Sequence, residues 1–413
     1  MSGIFDTLDP EQLRAVAIRE NAAVSAGAGS GKTTVLAARY LRLVLEEAAD
    51  VRSVLCLTFT RKAAAEMRER IYRELQASGE RRAREQIERF ADAAISTIDS
   101  FCSQILRSSA QDYGYAPDFA VDDTAARDLA ESEALAFLLE RRDEQSLAEV
   151  LARLGFERAW KELFADVAHR HCSPAGGFPS DFAAMAQRAK VELDRLAGLR
   201  LESCRSAMHR VLAAADLATG TLGSKAEAAR TLCRGALEGL ETVPLAEADL
   251  AAVSELVAPL ADFTLVGFGR SEEDAEIKAA MKEARELALM LGRLAEARGV
   301  EPLNEALLRL LGEFGERFRA AKRRSGLMSF RDAAVCAVDL LTRRPEIRRH
   351  WKGRFRYVMI DEFQDDDELQ RDLLYLLGER EGAESAGVPK AADLAPGKLF
   401  FVGDDKQSIY RFR

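Results

Sequence analysis

The nine residues from Ala26 to Thr34, A-G-A-G-S-G-K-T-T, restrict the possible folds more than any other stretch of the chain. They follow a short apolar run, Ala22 to Val24, that reads as a buried strand, and they precede a helical pattern from Val35 to Glu47. Strand, glycine-rich turn and helix in that order make a phosphate loop of the pattern G-x-x-x-x-G-K-[ST], with Ala26 in the place of the first glycine. Glycines, lacking Cβ, let consecutive backbone N–H groups turn inward as a positive cup, and the next helix adds its own free N–H groups and dipole. On this reading Ala26, Gly27, Ala28, Gly29, Ser30 and Gly31 cradle a triphosphate. Lys32 reaches its β- and γ-phosphates and the Thr33 hydroxyl holds Mg²⁺, so ATP and Mg²⁺ are the expected cofactors.

What surrounds the loop extends the pattern. Leu8-Asp9-Pro10-Glu11-Gln12 reads as a helix start, with Asp9 as cap and Pro10 in the first turn. Gln12 offers both a donor and an acceptor, as an adenine edge requires. Residues 53–60 form a continuous β-rich run, and Ala64, Met67, Ile71 and Leu75 then recur at helical spacing. Phe59 therefore stands at a strand's carboxyl end, where open α/β sheets place ligand contacts. A third strand at residues 93–97 and a helix after it complete an alternation expected to give a doubly wound sheet.

From about Thr124 to Arg324 the sequence becomes rich in Ala, Leu, Glu and Arg at helical spacing, with a Gly/Pro break at residues 173–179. An all-helical insertion is expected over 121–325, between two parts of one domain, 1–120 and 326–413. His169, His171 and Cys172 supply too few ligands at workable spacing for a metal centre. The most basic segment follows, with Arg343, Arg344, Arg348, Arg349, Lys352, Arg354 and Arg356 interrupted by one acid, Glu346. It reads equally as a solvated helix face or as a phosphate-backbone contact. The formal charge of −9 argues against coating nucleic acid by bulk electrostatics, which leaves local basic or aromatic surfaces for any such contact. Six scattered cysteines without a C-x-x-C pair, no export pattern and no long apolar run point to a cytoplasmic protein without a membrane partner.

A second chemical stretch begins at an apolar strand, residues 355–360, that runs directly into Asp361-Glu362-Phe363-Gln364-Asp365. Two adjacent carboxylates at the end of a buried strand are costly unless they serve a cation or a proton transfer. Beside a phosphate loop, Asp361 is expected to hold Mg²⁺ and Glu362 to take a proton from the attacking water. A polar stretch, 379–397, reads as a mobile surface loop. After it, a strand at 398–402 leads into G-D-D-K-Q-S-I-Y-R-F-R, in which Gln407 can bond a phosphate oxygen or the attacking water. Tyr410 and Phe412, interleaved with arginines, suit single-stranded bases.

Taken in order, these stretches resemble the N-terminal half of a superfamily 1 DNA helicase of the UvrD/Rep type, most similar to the AddA and RecB helicase-nuclease subunits. The resemblance rests on residues 8–12, 26–34, 57–70 (L-T-F-T-R-K-A-A-A-E-M-R-E-R), 96–102 (S-T-I-D-S-F-C), 361–365 with Gln370, and 403–413. The S-F-R-D-A segment at 329–333 and the long helical insertion favour the AddA/RecB side. It implies a RecA-like parallel sheet with helices on both faces, and ATP-driven 3′ to 5′ movement on single-stranded DNA. It further implies that Gln12 reads adenine, that Gln407 couples the γ-phosphate to DNA, and that Phe59, Thr97, Tyr410 and Phe412 line the DNA path. An AddB- or RecC-like subunit is the implied partner. Three positions depart from the UvrD/Rep pattern: Thr34 replaces an arginine beside the nucleotide, Asp99 a histidine and Phe412 a tryptophan. The second motor domain and its arginines do not follow Arg413, so the chain is expected to be a piece of a longer product that binds ATP but hydrolyses it slowly by itself. The competing expectations are an ATP-binding remnant that docks a repair partner, and a phosphate-loop ATPase acting on protein or RNA.

Overall fold

Alternation along the strands sets the architecture. In the computed structural model, which describes residues 4–25, 27, 30–176, 182–219, 221–241, 249–363 and 368–404, seven strands are present among the described residues. They are β1 (Ala22–Ser25), β2 (Val54–Thr58), β3 (Ala94–Thr97), β4 (Ala120–Val121), β5 (Leu327–Met328), β6 (Tyr357–Asp361) and β7 (Leu399–Gly403). Successive strand residues point to opposite faces. Val54 and Cys56 of β2 join Met359, Phe400 and Val402 in one core cluster, while Leu55 and Leu57 join Val358, Ile360 and Leu399 in another. Each face is covered by helices. Lys32–Leu45 and Arg61–Ser78 bury Leu36, Tyr40, Met67 and Ile71 on the first, and Ile98–Arg107, Phe330–Arg343 and Glu368–Gly378 bury Phe101, Cys102, Leu340 and Leu374 on the second.

The main sheet has the order β1-β7-β6-β2-β3, every neighbour parallel. The chain is thus mostly helical around a parallel sheet, as an α/β fold requires. β1, expected to be a buried strand, lies at the edge and alternates between half-buried and exposed residues. Its neighbour is β7, which follows it in the sequence by more than 370 residues. The two-residue strands β4 and β5 pair separately, and no sequence pattern announced them.

The residues form two compact units, one of Met1–Glu133, Ala165–Phe178 and Glu316–Arg413, the other of Ala134–Phe164 and Pro179–Gly315. The second unit is helical among its described residues. Helices Phe182–Leu217, Ser224–Glu241, Leu250–Ala261 and Glu272–Gly299 share a core of Cys204, Met208, Val211, Cys233, Val257, Ile277, Met281 and Leu291. Phe137, Phe164 and Phe314 pack ring to ring at 5.4–5.8 Å in the same unit. Among the described residues no helix is long and apolar enough to cross a membrane.

Residues 379–397 are not a mobile loop. Glu379 is fully buried at their root and accepts from Lys352 Nζ at 2.7 Å and from the Ser385 N–H at 2.8 Å, with Arg348 Nε at 3.5 Å. Arg348 also donates to the Ser385 and Gly387 carbonyls, and Lys352 to those of Arg380 and Ala383. Burial works against the charge of Glu379, yet Lys352, Ser385 and Arg348 outweigh it and hold the carboxyl below its usual range. The same network explains the basic segment, which is mostly neutralised within the chain. Arg343 pairs with Asp339, Arg344 with Glu346 and Asp112, and Arg349 with Glu384, while Arg354 lies over Trp351 and Phe355. It is neither a wholly solvated face nor a free phosphate contact.

Removing the acid while leaving the two cations buried is expected to destabilise this unit by about 3–5 kcal/mol. Trp351, on the helix that carries Lys352, reports it directly. In a Trp160→Phe background, Glu379→Gln should lower the urea midpoint of Trp351 emission well beyond the shift of a surface control such as Glu384→Gln. An equal shift in both would contradict the assignment.

Candidate nucleotide site

The register of the sheet aligns the strand ends that carry the sequence motifs. Ser25 stands opposite Gly403, Val402 opposite Asp361, Ile360 opposite Leu57, and Thr58 opposite Thr97. The carboxyl ends of all five strands therefore share one rim, where open parallel sheets bind ligands.

At that rim Gly31 caps helix Lys32–Leu45 with φ +77°, a left-handed conformation that costs any residue with a Cβ. A Cβ there would also lie 2.9 Å from Gln12 Nε2. Lys32 follows, 9% exposed, and its Nζ lies 3.2 Å from Glu362 Oε2. Thr33 Oγ1 is 3.4 Å from Asp361 Oδ2. Sequence reasoning assigned these four residues to one site from two motifs, and the fold brings them together.

The carboxylates are held by their own strand end. Asp361 is 5% exposed, and its Oδ1 accepts the Glu362 N–H at 3.0 Å. Glu362 has φ +60°, uncommon for a residue with a long side chain, and the next ring, Phe363, stacks on Phe401 of β7 at 4.5 Å. Such strain persists only where the surroundings impose it, and it concentrates at functional sites. Burial, and then the negative charge of Glu362, push the Asp361 carboxyl above its usual range; the Glu362 N–H, Lys32 and Thr33 offset part of this. A buried carboxylate with an acidic neighbour and a hydroxyl at its other oxygen fits a hard divalent cation such as Mg²⁺. Ser30 Oγ, buried and without a hydrogen-bond partner among the described residues, is a further polar atom suited to a phosphate or metal ligand.

Gln12 closes one side. Its Oε1 accepts the Asp9 N–H at 3.0 Å in a capping box, and its Nε2 donates to the Ser30 carbonyl at 2.8 Å. Each end of the amide keeps capacity for one more bond. Thr34, from the same helix turn as Lys32, accepts a hydrogen bond from Arg70 Nη1 at 2.7 Å. Sequence reasoning missed Arg70; its signal was the stripe Glu66, Arg70, Glu74 beside the buried one on the same helix.

Of the residues assigned to DNA, Phe59 is half-buried just past β2, and Thr97 is 6% exposed at the end of β3. The Thr97 hydroxyl caps the next helix, accepting the Ser100 N–H at 3.2 Å and donating to Ser100 Oγ at 2.8 Å. Gly27 accepts the Ser30 N–H through its carbonyl at 3.2 Å. Ala26, Ala28, Gly29, Gln407, Tyr410 and Phe412 lie outside the described residues.

A model of the UvrD/REP helicase N-terminal domain matches residues 8–413. Among curated proteins, the chain is 28% identical to an ATP-dependent helicase/nuclease subunit of Syntrophomonas wolfei and 30% identical to one of Pelotomaculum thermopropionicum. Each alignment covers 98% of this chain and 34% of the relative. A third, from Carboxydothermus hydrogenoformans, is 29% identical over 98% of this chain and 36% of its own length. The chain thus spans about a third of the length of these relatives.

Gly31→Ala tests the local geometry. The left-handed backbone alone should cost about 1–2 kcal/mol, and the new methyl must also displace Gln12. The expected result is a lower thermal midpoint together with loss of triphosphate binding; a stable variant with unchanged binding would show that the turn is not needed.

Proposed function

Because the chain belongs to the UvrD/REP helicase family, we propose that it is the nucleotide-binding motor part of an ATP-dependent 3′ to 5′ DNA helicase of the helicase-nuclease type, acting in cytoplasmic DNA repair and recombination. On this reading the sheet unit is a RecA-like motor domain formed by residues 1–120 and 326–413, and residues 121–325 are an all-helical insertion in it. One observation carries the proposal: Lys32 and Thr33 lie within 3.2 and 3.4 Å of Glu362 and Asp361 across more than three hundred residues of sequence.

The roles follow from chemistry. Lys32 neutralises the β- and γ-phosphates over the turn at Gly31, and Gln12 offers its remaining donor and acceptor to adenine. Thr33 and Asp361 would hold Mg²⁺, which supplies neutralisation of the phosphoryl oxygens when bound. Glu362 orients the attacking water and accepts its proton. Gln407 is assigned to sensing the γ-phosphate and coupling it to DNA. Phe59, Tyr410 and Phe412 offer ring faces to single-stranded bases, and Thr97 shapes the path between them rather than donating to it, its hydroxyl being engaged in the helix cap. An AddB- or RecC-like subunit is the proposed partner, in keeping with the relatives' description as helicase/nuclease subunits.

Single-turnover hydrolysis of ATP in the presence of single-stranded DNA tests the assignment. Glu362→Gln should leave nucleotide affinity nearly unchanged and slow hydrolysis by about 10²-fold or more. A rate equal to that of the unaltered protein would remove Glu362 from the chemistry. In parallel, Phe59→Ala is expected to weaken single-stranded DNA binding by about 1–3 kcal/mol without changing the salt slope, since it removes stacking and no charge. Unchanged affinity would take Phe59 off the DNA path.

A further inference from the structure

A cleft of about 440 Å³ opens directly beside the phosphate loop. It is lined by Ile4 and Thr7 from the N-terminal turn, Thr34 from the phosphate-loop helix, and Glu66, Arg70 and Glu74 from helix Arg61–Ser78. It is continuous with the nucleotide site, because an ideal Cβ on Gly31 would lie 2.9 Å from Gln12 Nε2 and 3.8 Å from Thr34 Cβ.

We propose that Arg70 is a nucleotide-contact residue whose guanidinium binds the base and ribose of the nucleoside triphosphate held at Gly31–Lys32. The proposal rests on the nucleotide site assigned above and names a residue from a different helix as its nucleoside side. Thr34 carries no charge, and Arg70 delivers a cation to the same place, hydrogen-bonded to the Thr34 hydroxyl at 2.7 Å. Its neighbours on that helix are otherwise engaged: Arg73 pairs with Glu69, and Glu74 accepts the Ile4 N–H at 3.2 Å. Among the described residues no carboxylate pairs with Arg70, so its remaining N–H donors and its planar face are available. The cleft carries three glutamates, Glu66, Glu69 and Glu74, against two arginines, a balance that repels a phosphate chain and suits a neutral base and ribose. A guanidinium both stacks on aromatic rings and donates to hydroxyls, which matches that ligand.

Calorimetric titration with Mg-ATP and with Mg-tripolyphosphate separates the nucleoside from the phosphates. Arg70→Ala should weaken ATP by about tenfold and leave tripolyphosphate unchanged. Arg70→Lys should recover only part of the loss, and Thr34→Val, which removes the group that aims Arg70, should weaken ATP alone by a smaller factor. Circular dichroism on each variant confirms the fold. The proposal is overturned if Arg70→Ala leaves ATP binding intact, or if it weakens ATP and tripolyphosphate equally, since the latter is a general charge effect. Lys32→Ala should weaken both ligands; if it weakens neither, the nucleotide site itself is misassigned, a failure distinct from that of Arg70.

Discussion

The ion pair between Lys32 and Glu362, at 3.2 Å and 330 positions apart in the sequence, can form only because β1, β7 and β6 run parallel in one register. A strand turned round, or slipped by one residue, would put the lysine and the carboxylate at different ends or on different faces of the sheet. Much else at the rim follows from that constraint. Gly31 must take a left-handed turn for the helix to start with Lys32 at the rim, and Glu362 must take one for its carboxylate to reach back. Phe363 stacked on Phe401 fixes the chain after that turn, so the strain at Glu362 is held by packing in the core.

Two buried acids of the same unit show how the fold separates structure from chemistry. Glu379 is surrounded by Lys352, Arg348 and the Ser385 N–H, which hold its carboxyl below the usual range despite burial. Asp361 is also buried, but its nearest charge is another carboxylate, and its carboxyl is raised. A fully satisfied buried charge gives one defined arrangement of residues 379–397. An under-compensated one favours a cation from outside the chain, the condition expected where a metal is bound.

Local motifs were legible in the sequence to the extent that their chemistry is local. The glycines before Lys32, the apolar run before Asp361 and the helical spacing of Ala64, Met67, Ile71 and Leu75 each carry their structure within about a dozen residues. Strand order does not, which is why β1 was read as buried although it lies at the edge beside β7. The two-residue strands β4 and β5 are too short for a period to register. The arginine-rich segment was misread for a related reason: its partners Asp112, Glu379 and Glu384 come from other parts of the chain, so charge counted along the sequence overstated what faces solvent. Arg70 was hidden in the same way, since a residue on an amphipathic helix reveals its target, Thr34, only when the two helices are in place.

The central claim is that the phosphate loop and the Asp361–Glu362 strand end form one metal–nucleotide site. Anomalous diffraction from crystals grown with Mn²⁺ and a non-hydrolysable ATP analogue tests it most directly, because Mn²⁺ takes the oxygen ligands that Mg²⁺ takes. A single strong peak bridging Thr33 and Asp361, with the triphosphate over Gly31 and Lys32, is the result this account predicts. A metal bound away from both side chains, or a nucleotide that leaves the Lys32 amine and the Asp361 carboxylate untouched, would contradict it.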